Sequence, residues 1–413
     1  MKKSSVKILK SIKPNKLEEK KLKDIAKQAM SKIKIRYAKT ELGGSVAKGT
    51  WLKKNHDIDI YVKFSASKYN NKNISGILYK HLKKKFPKVD RIHGSRDYYQ
   101  IELDNYTIEI IPILNIRKVK SAKNITDISP FHVQWVKKNK RYCNEIRLAK
   151  SFCKANKIYG AESYIKGFSG YAIEILAVYY SGFYNLIKKA GKWKEKEVID
   201  ISHYYKNRKE ILENLNISKT KSPLILIDPV QKERNATAGL SKEKFNNFIR
   251  LANKFLEHPS ESFFIKKDIT IKELKQIAEG KRLILLEAVP LEGKKDVVGA
   301  KLLKCFQQIS KQFKLNDFEI IESGWEWSSN AIFYFIFSKE KLPASKKHYG
   351  PPKNSKASLK KFRDKWKSEK IRYEKNNSYI ILKRDYREPK VFLKDLLRNE
   401  NIKKRVKKIS LIL

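Results

Sequence analysis

Cysteine is scarce in this 413-residue chain: only Cys143, Cys153 and Cys305 occur. They are odd in number, widely spaced and form no CxxC pair, which excludes a disulfide framework and a zinc site of the usual ligand spacing. They are expected to be reduced core residues. Long apolar runs are missing too, the longest, around Ile173–Tyr180, falling far short of a bilayer span. The basic opening MKKSSVKILKSIKPNK lacks the continuous apolar stretch of a secretion signal. These absences predict a soluble chain that does not touch a membrane and works in the cytoplasm. Repeats are absent as well. Acidic side chains are few, 43 against 93 Lys plus Arg, for a formal net charge of +50. Such an excess attracts polyanions, nucleic acid above all, although a general preference for lysine would raise the same number without naming a ligand.

Hydrophobic residues make up 41% of the chain, enough to bury several cores, and the length suits two to four domains. Lys16–Lys39 carries apolar residues at helical spacing, with Leu17, Leu22, Ile25, Ala26, Ala29 and Ile33 on one side. A glycine-flanked loop and short helix (LGGSVAKGTWL) follow, then the alternating strand DIDIYVKF, a helix around Ile74–Phe86 and a hairpin. The hairpin reads YYQIEL, a turn at Asp104-Asn105, then YTIEIIPIL. Helices are expected over Asn144–Asn156 and Tyr171–Ile187, with KKAGKWKEKE and NISKTKSP as surface connections. A third region opens with the strand LILID and continues through helix Ser241–Leu256, strand LILLEAV, helix Val298–Phe313 and strands FEIIESGWEW and AIFYFIFS. KKHYGPPKNSKASLKK reads as a basic linker or RNA-facing loop. Beyond it lie a helix near Leu359–Trp366, a hairpin turning at Asn376-Asn377 and a last helix near Lys390–Leu397.

The chemistry concentrates in GGSVAKGTWLKKNHDIDIYV. Residues two apart on a strand share a face, so Asp57 and Asp59 present two carboxylates together while Ile58, Ile60 and Val62 fill the buried side. Paired carboxylates repel, and a site that keeps both ionised calls for a cation such as Mg²⁺, which takes oxygen ligands. Ahead of them Gly44 and Ser45 open the short helix, a place for an anion, and Lys48 adds positive charge one turn on. A phosphate cradle followed closely by metal-binding carboxylates is what two-metal nucleotidyl transfer requires. Either motif alone would read as an ordinary turn or a solvated edge strand. Glu109, in TIEIIP between apolar neighbours, is the candidate third carboxylate, unless it faces solvent beside Thr107; Glu102 is a weaker candidate.

These residues, together with SPFHVQWV at 129–136, NEIRLAKSFCKANKIYGAE at 144–162, KGFSGYAIEIL at 166–176 and DPVQKERNATAGLS at 228–241, resemble the archaeal, class I CCA-adding enzymes (tRNA nucleotidyltransferases). The resemblance covers most of residues 40–260; the C-terminal third matches mainly in layout, with HYGPP at 348–352 as its clearest echo. It implies an α+β multidomain fold: a polymerase-β-like nucleotidyltransferase head with a mixed sheet and helices over 1–140, a helical nucleotide-recognition neck over 141–220, an α/β body over 221–340 and a basic tail over 341–413. It also implies template-independent addition of CCA to the 3′ end of tRNA from CTP and ATP. On this pattern Asp57, Asp59 and Glu109 hold two Mg²⁺ ions. Ser45, Lys48, Ser129, His132, Lys150 and Tyr159 meet the triphosphate and sugar, and Arg234 reads the base. Body and tail grip the acceptor and T-arm of tRNA, and a homodimer stays open.

Read alone, His132 would be a packed histidine and Lys150 and Arg234 surface residues. The chain departs from the family pattern in Glu109 for Asp, Lys48 for Arg and Ser129 for Thr, all conservative, with activity expected to survive. Alternatives are a poly(A)-polymerase-like or oligoadenylate-synthetase-like transferase, and an RNA-binding protein whose head has lost catalysis. At the C-terminal surface, lysine clusters at Lys346–Lys347, Lys360–Arg363 and Lys403–Lys408 alternate with Tyr349, Phe362 and Trp366, although Phe362 and Trp366 read better as core.

Overall fold

The computed structural model describes residues 2–53, 57–266 and 270–413, the first four of these by backbone alone. It divides into two compact units that meet at 267/268.

In the first unit, helix α1 (Lys2–Ile12) precedes α2 (Lys16–Ser31), whose start is fixed by a reciprocal capping box between Asn15 and Glu18. The helix predicted over Lys16–Lys39 stops at Ser31; residues 32–37 form turns and loop, and strand β1 (Ala38–Leu42) begins after Tyr37 turns the chain at φ 57°. Helix α3 (Gly44–Lys48), β2 (Ile58–Ser65), α4 (Ile74–Lys83), β3 (Asp90–Ile92), β4 (Tyr98–Leu103) and β5 (Tyr106–Asn115) complete a mixed sheet in the order β1-β2-β5-β4-β3. Ile58, Ile60, Val62 and Phe64 of β2 are wholly buried, as the alternation predicts, against α2 (Leu22, Ala29) and α4 (Leu78, Leu82). The β4–β5 hairpin turns on Asp104 and Asn105, both with positive φ, so its twist matches that of the strands.

SPFHVQWVKK forms helix α5 (Ser129–Lys138), with Pro130 in its first turn. Helix α6 (Cys143–Ala155) follows. The expected single helix over Tyr171–Ile187 is two, α7 (Gly170–Tyr179) and α8 (Phe183–Ala190), parted where Ser181 and Gly182 both take positive φ. The strand and helix assigned from sequence to a third region, β7 (Leu224–Leu226) and α9 (Lys242–Glu257), fall within this first compact unit. The reason is aromatic packing: Phe152 of α6 has the rings of Phe183, Phe248, Phe255, Phe263 and Phe264 within 6.2 Å. Losing such a core ring costs about 3–5 kcal/mol. A short strand β6 (Glu197–Ile199) pairs in parallel with β7.

The second unit contains β8 (Arg282–Val289), α10 (Lys295–Leu315), β9 (Ile320–Trp327) and β10 (Ala331–Phe337). With β14 (Lys408–Leu411) the strands form a sheet in the order β14-β8-β10-β9. One face of α10 (Leu302, Cys305, Ile309, Phe313) packs on Phe333, Phe335 and Phe337. The segment predicted as a basic linker forms strand β11 (Ser345–Pro352), which joins β12 (Arg372–Glu374) and β13 (Asn377–Lys383) in the order β11-β13-β12. Among the described residues no helix is long and apolar enough to cross a membrane.

Candidate active site

The parallel pairing of β2 with β5 sets Asp59 directly opposite Glu109. Asp57 stands exposed just ahead of β2. Burial first, then the neighbouring Glu109 and Asp57, raise the Asp59 carboxyl to about 7, against the pull of Lys48 and Lys150. Glu109 accepts a hydrogen bond from Gln100 Nε2 at 2.8 Å, and among the described residues no three acidic, His or Cys side chains are gathered into a ready metal cage. The donor set nevertheless suits a hard divalent cation: it is all oxygen, and a cation beside Asp59 would return it to the ionised form.

The glycine loop is built against these acids. Gly43 N donates to Asp59 O at 2.7 Å, and Gly44 N donates to Tyr61 Oη at 3.3 Å. The Tyr61 hydroxyl is also hydrogen-bonded with Ser129, so Gly44 and Ser129, read from distant motifs, meet on one tyrosine. Gly44 has φ +53°, and a Cβ there would fall 1.6 Å from Asp59 Oδ2. Ser45 follows in α3, where its carbonyl accepts from Thr50 N at 3.0 Å.

A buried cationic cluster lies beside the acids. Lys48 Nζ donates to Glu174 Oε2 at 2.8 Å, and Lys150 Nζ donates to Glu174 Oε1 at 2.7 Å. Thr50 Oγ1 donates to Glu174 Oε1 at 2.7 Å and accepts from Lys150 at 3.0 Å. Burial would lift the Glu174 carboxyl, yet the two lysines hold it down at about 2. Burial works to lower Lys150, with Glu174 opposing. Two cations share one carboxylate, an excess of one positive charge that an incoming anion can balance. Tyr159 borders the cluster: its hydroxyl would lie 2.7 Å from a Cβ on Gly170, a glycine that also lies close to the Lys150 stem.

A third group centres on Asp228. It accepts from Arg234 Nη1 at 2.6 Å, His132 Nε2 at 3.1 Å, Tyr171 Oη at 3.1 Å and Val230 N at 2.9 Å. Burial opposes ionisation, but His132 and Arg234 keep its carboxyl at about 2. Burial lowers His132 despite Asp228, so the ring is neutral near pH 7 and its proton sits on Nε2, facing a carboxylate that can only accept. His132 stacks on Tyr171 with ring centroids 4.0 Å apart. Lys48 lies 5.0 Å from the same tyrosine ring and Arg234 6.0 Å.

The structure thus brings the sequence-predicted residues into three adjoining clusters, and it adds Tyr61, Thr50, Tyr171, Glu174 and Asp228, which sequence reasoning missed. A signal existed for two of them: Glu174 is the one carboxylate in the apolar helix GYAIEILAVY, and Asp228 closes the apolar strand LILID. A charge in such a setting needs a partner.

Three family models match the chain: a nucleotidyltransferase domain over residues 19–141, the second domain of tRNA nucleotidyltransferase over 144–265, and the C-terminal domain of CCA-adding enzymes over 292–409. The chain is 39% identical to the CCA-adding enzyme of Nanoarchaeum equitans over 84% of each chain. It is 30% identical to that of Methanosarcina barkeri over 97% of this chain and 90% of the relative. The match to that of Methanocaldococcus jannaschii is 33% identical, over 87% of this chain and 83% of the relative. Among solved structures, a cytoplasmic RNA terminal U-transferase superposes with a TM-score of 0.51 at 15% identity, over 65% of this chain and 100% of that one. The Cid1 poly(U) polymerase gives 0.52 at 15% identity, over 64% and 98%. These two likenesses speak for the fold alone.

Proposed function

The chain belongs to the CCA-adding enzyme family, and we propose on that premise that it completes the 3′ end of tRNA with C, C and A from CTP and ATP, without a nucleic-acid template. The observation that carries this reading is the juxtaposition of the Asp59–Glu109 register with the Lys48–Glu174–Lys150 cluster. Acids for metal ions and cations for a triphosphate stand side by side.

Nucleotidyltransferases use nucleotide substrates and divalent metals generally, and Mg²⁺ is the ion proposed here. Asp57, Asp59 and Glu109 would hold it, and when bound it lowers the pKa of the attacking 3′-hydroxyl and neutralises charge on the phosphates. The protein's own groups do the rest. Lys48 and Lys150, released in part from Glu174, draw the triphosphate into the buried corner, and Gly44 and Ser45 line its approach. Ser129 and Tyr159 border the sugar, and His132, neutral and aligned by Asp228, flanks it. Arg234 faces the base. The 3′-oxygen loses its proton to solvent and bonds to the α-phosphorus, the bond to the bridging oxygen breaks, and pyrophosphate leaves with the negative charge. Residues 282–411 and their exposed lysines and tyrosines serve to hold the acceptor and T-arm, where phosphate contacts dominate affinity.

The test is extension of a tRNA transcript lacking its terminal CCA, with Mg²⁺ and with CTP and ATP supplied separately and together. The expected products are two added residues with CTP alone and three with both, and none from an Asp57→Ala, Asp59→Ala variant. A long A-tail would support a poly(A)-polymerase-like transferase instead, and tight tRNA binding without extension would remove catalysis from the reading.

A further inference from the structure

The base arginine does not stand free. Asp228, wholly buried where the chain leaves β7, accepts from Arg234 Nη1 at 2.6 Å, and three further bonds fix the carboxylate itself. Those bonds come from Tyr171 on α7, His132 on α5 and the Val230 amide, so elements far apart in sequence converge on one acceptor. Arg234 keeps 30% of its side chain exposed although one end of it is tied to Asp228. The Tyr171 ring has both Arg234, 6.0 Å from its centre, and Lys48 of the phosphate cluster, at 5.0 Å, beside it.

Cytosine and adenine share one feature on their Watson–Crick edge. Each presents a ring nitrogen that accepts a hydrogen bond, N3 or N1, beside an exocyclic amine. Uracil and guanine carry an N–H at that ring position, between two carbonyl oxygens in uracil and between a carbonyl oxygen and an amine in guanine. A guanidinium can only donate. Held still in front of the ring nitrogen, it matches cytosine and adenine and sets donor against donor for uracil and guanine. Free to swing, it would find O4 of uracil or O6 of guanine, and the discrimination would fade.

We propose that Asp228 is a specificity-determining positioning residue, whose carboxylate commits one end of Arg234 so that the remaining donors accept cytosine and adenine and refuse uracil and guanine. The inference rests on the reading of Arg234 as the base-facing residue. A single carboxylate also aligns His132 and Tyr171, so the alignment of the base reader and of the residues beside the sugar is set at one buried point.

The experiment compares single-turnover extension of tRNA lacking CCA by CTP and by UTP, for the wild type, Asp228→Asn, Arg234→Ala and the double variant. The readout is the ratio of kcat/KM for CTP to that for UTP, which a merely structural defect leaves unchanged because it slows both. Both single variants are expected to lower the ratio roughly ten-fold or more, the scale of one charge-assisted hydrogen bond. The double variant is expected to lower it no further than the deeper single one, because the two residues act as a unit. Tyr171→Phe, which removes only one bond to Asp228, is expected to lower the ratio less but in the same direction, and it carries the test if Asp228→Asn does not fold. If Arg234→Ala lowers the ratio and both Asp228→Asn and Tyr171→Phe leave it within two-fold, or if the losses in the double variant simply multiply, the proposal is overturned. If Arg234→Ala itself leaves the ratio unchanged, the base-reading assignment fails and the inference goes with it.

Discussion

Gly44 occupies a backbone conformation at φ +53° that few side chains tolerate, and its α-carbon abuts the carboxylate of Asp59. With 1.6 Å between an added Cβ and Asp59 Oδ2, Gly44→Ala must move either the loop or the acid. An active-site misplacement of about 1 Å costs on the order of a hundred-fold in rate. Gly44→Ala is therefore expected to lose at least that much extension rate in single-turnover assays while still unfolding cooperatively; a variant within three-fold of the wild type would contradict the packing described here. At this scale a strand's period of two is a local rule that puts Asp57 and Asp59 on one face, whereas the parallel register that sets Asp59 opposite Glu109 joins strands far apart in the chain and is not fixed by DIDIYV and TIEIIP alone. For Glu174 and Asp228 the sequence showed only a charge in an apolar setting; it did not name the partners, which include Lys48, 126 residues away, and His132, 96 away.

Helix α7 links two of the clusters of the candidate site. Tyr171 and Glu174, one helical turn apart, reach the Asp228 group and the lysine cluster respectively. Removing the carboxylate leaves two buried cations unmatched, so Glu174→Ala is expected to destabilise the first unit by about 3–5 kcal/mol in denaturant titrations. The pH dependence has a definite sign. The Glu174 carboxyl is held at about 2 in the folded protein against an ordinary value of 4.5, so its ion pairs stabilise fully above pH 4.5 and are lost as pH falls toward 2. The stability gap between the wild type and Glu174→Gln is expected to be constant above that window and to close within it; a gap independent of pH between 5 and 2 would count against the ion-pair account. Other elements explain where sequence reasoning stopped. β11 was read as a linker because Gly350, Pro351 and Pro352 punctuate it, yet it is an edge strand, where a missing amide donor is tolerated. The break between α7 and α8 has glycine at its second residue only, with Ser181 in the left-handed region, so the apolar pattern runs straight through it.

At the scale of the molecule, the order of elements followed from patterning and the fold class was implied by the resemblance, while the extent of the first compact unit was legible from neither. Apolar periodicity marks helices but says nothing of which core they join; the aromatic cluster around Phe152 assigns residues 242–264 to the first unit. The charge of +50 attracts any polyanion and names no sequence. On the proposed function, specificity falls to the three clusters gathered around β2, α7 and Asp228. The measurement that tests this most directly supplies Mg²⁺ and all four NTPs in equal excess to tRNA transcripts ending one, two and three residues short, and sequences the new 3′ ends. The account predicts CCA restored on every transcript, with extension stopping there. Tails of U or of A, or extension that continues past the terminal A, would contradict it.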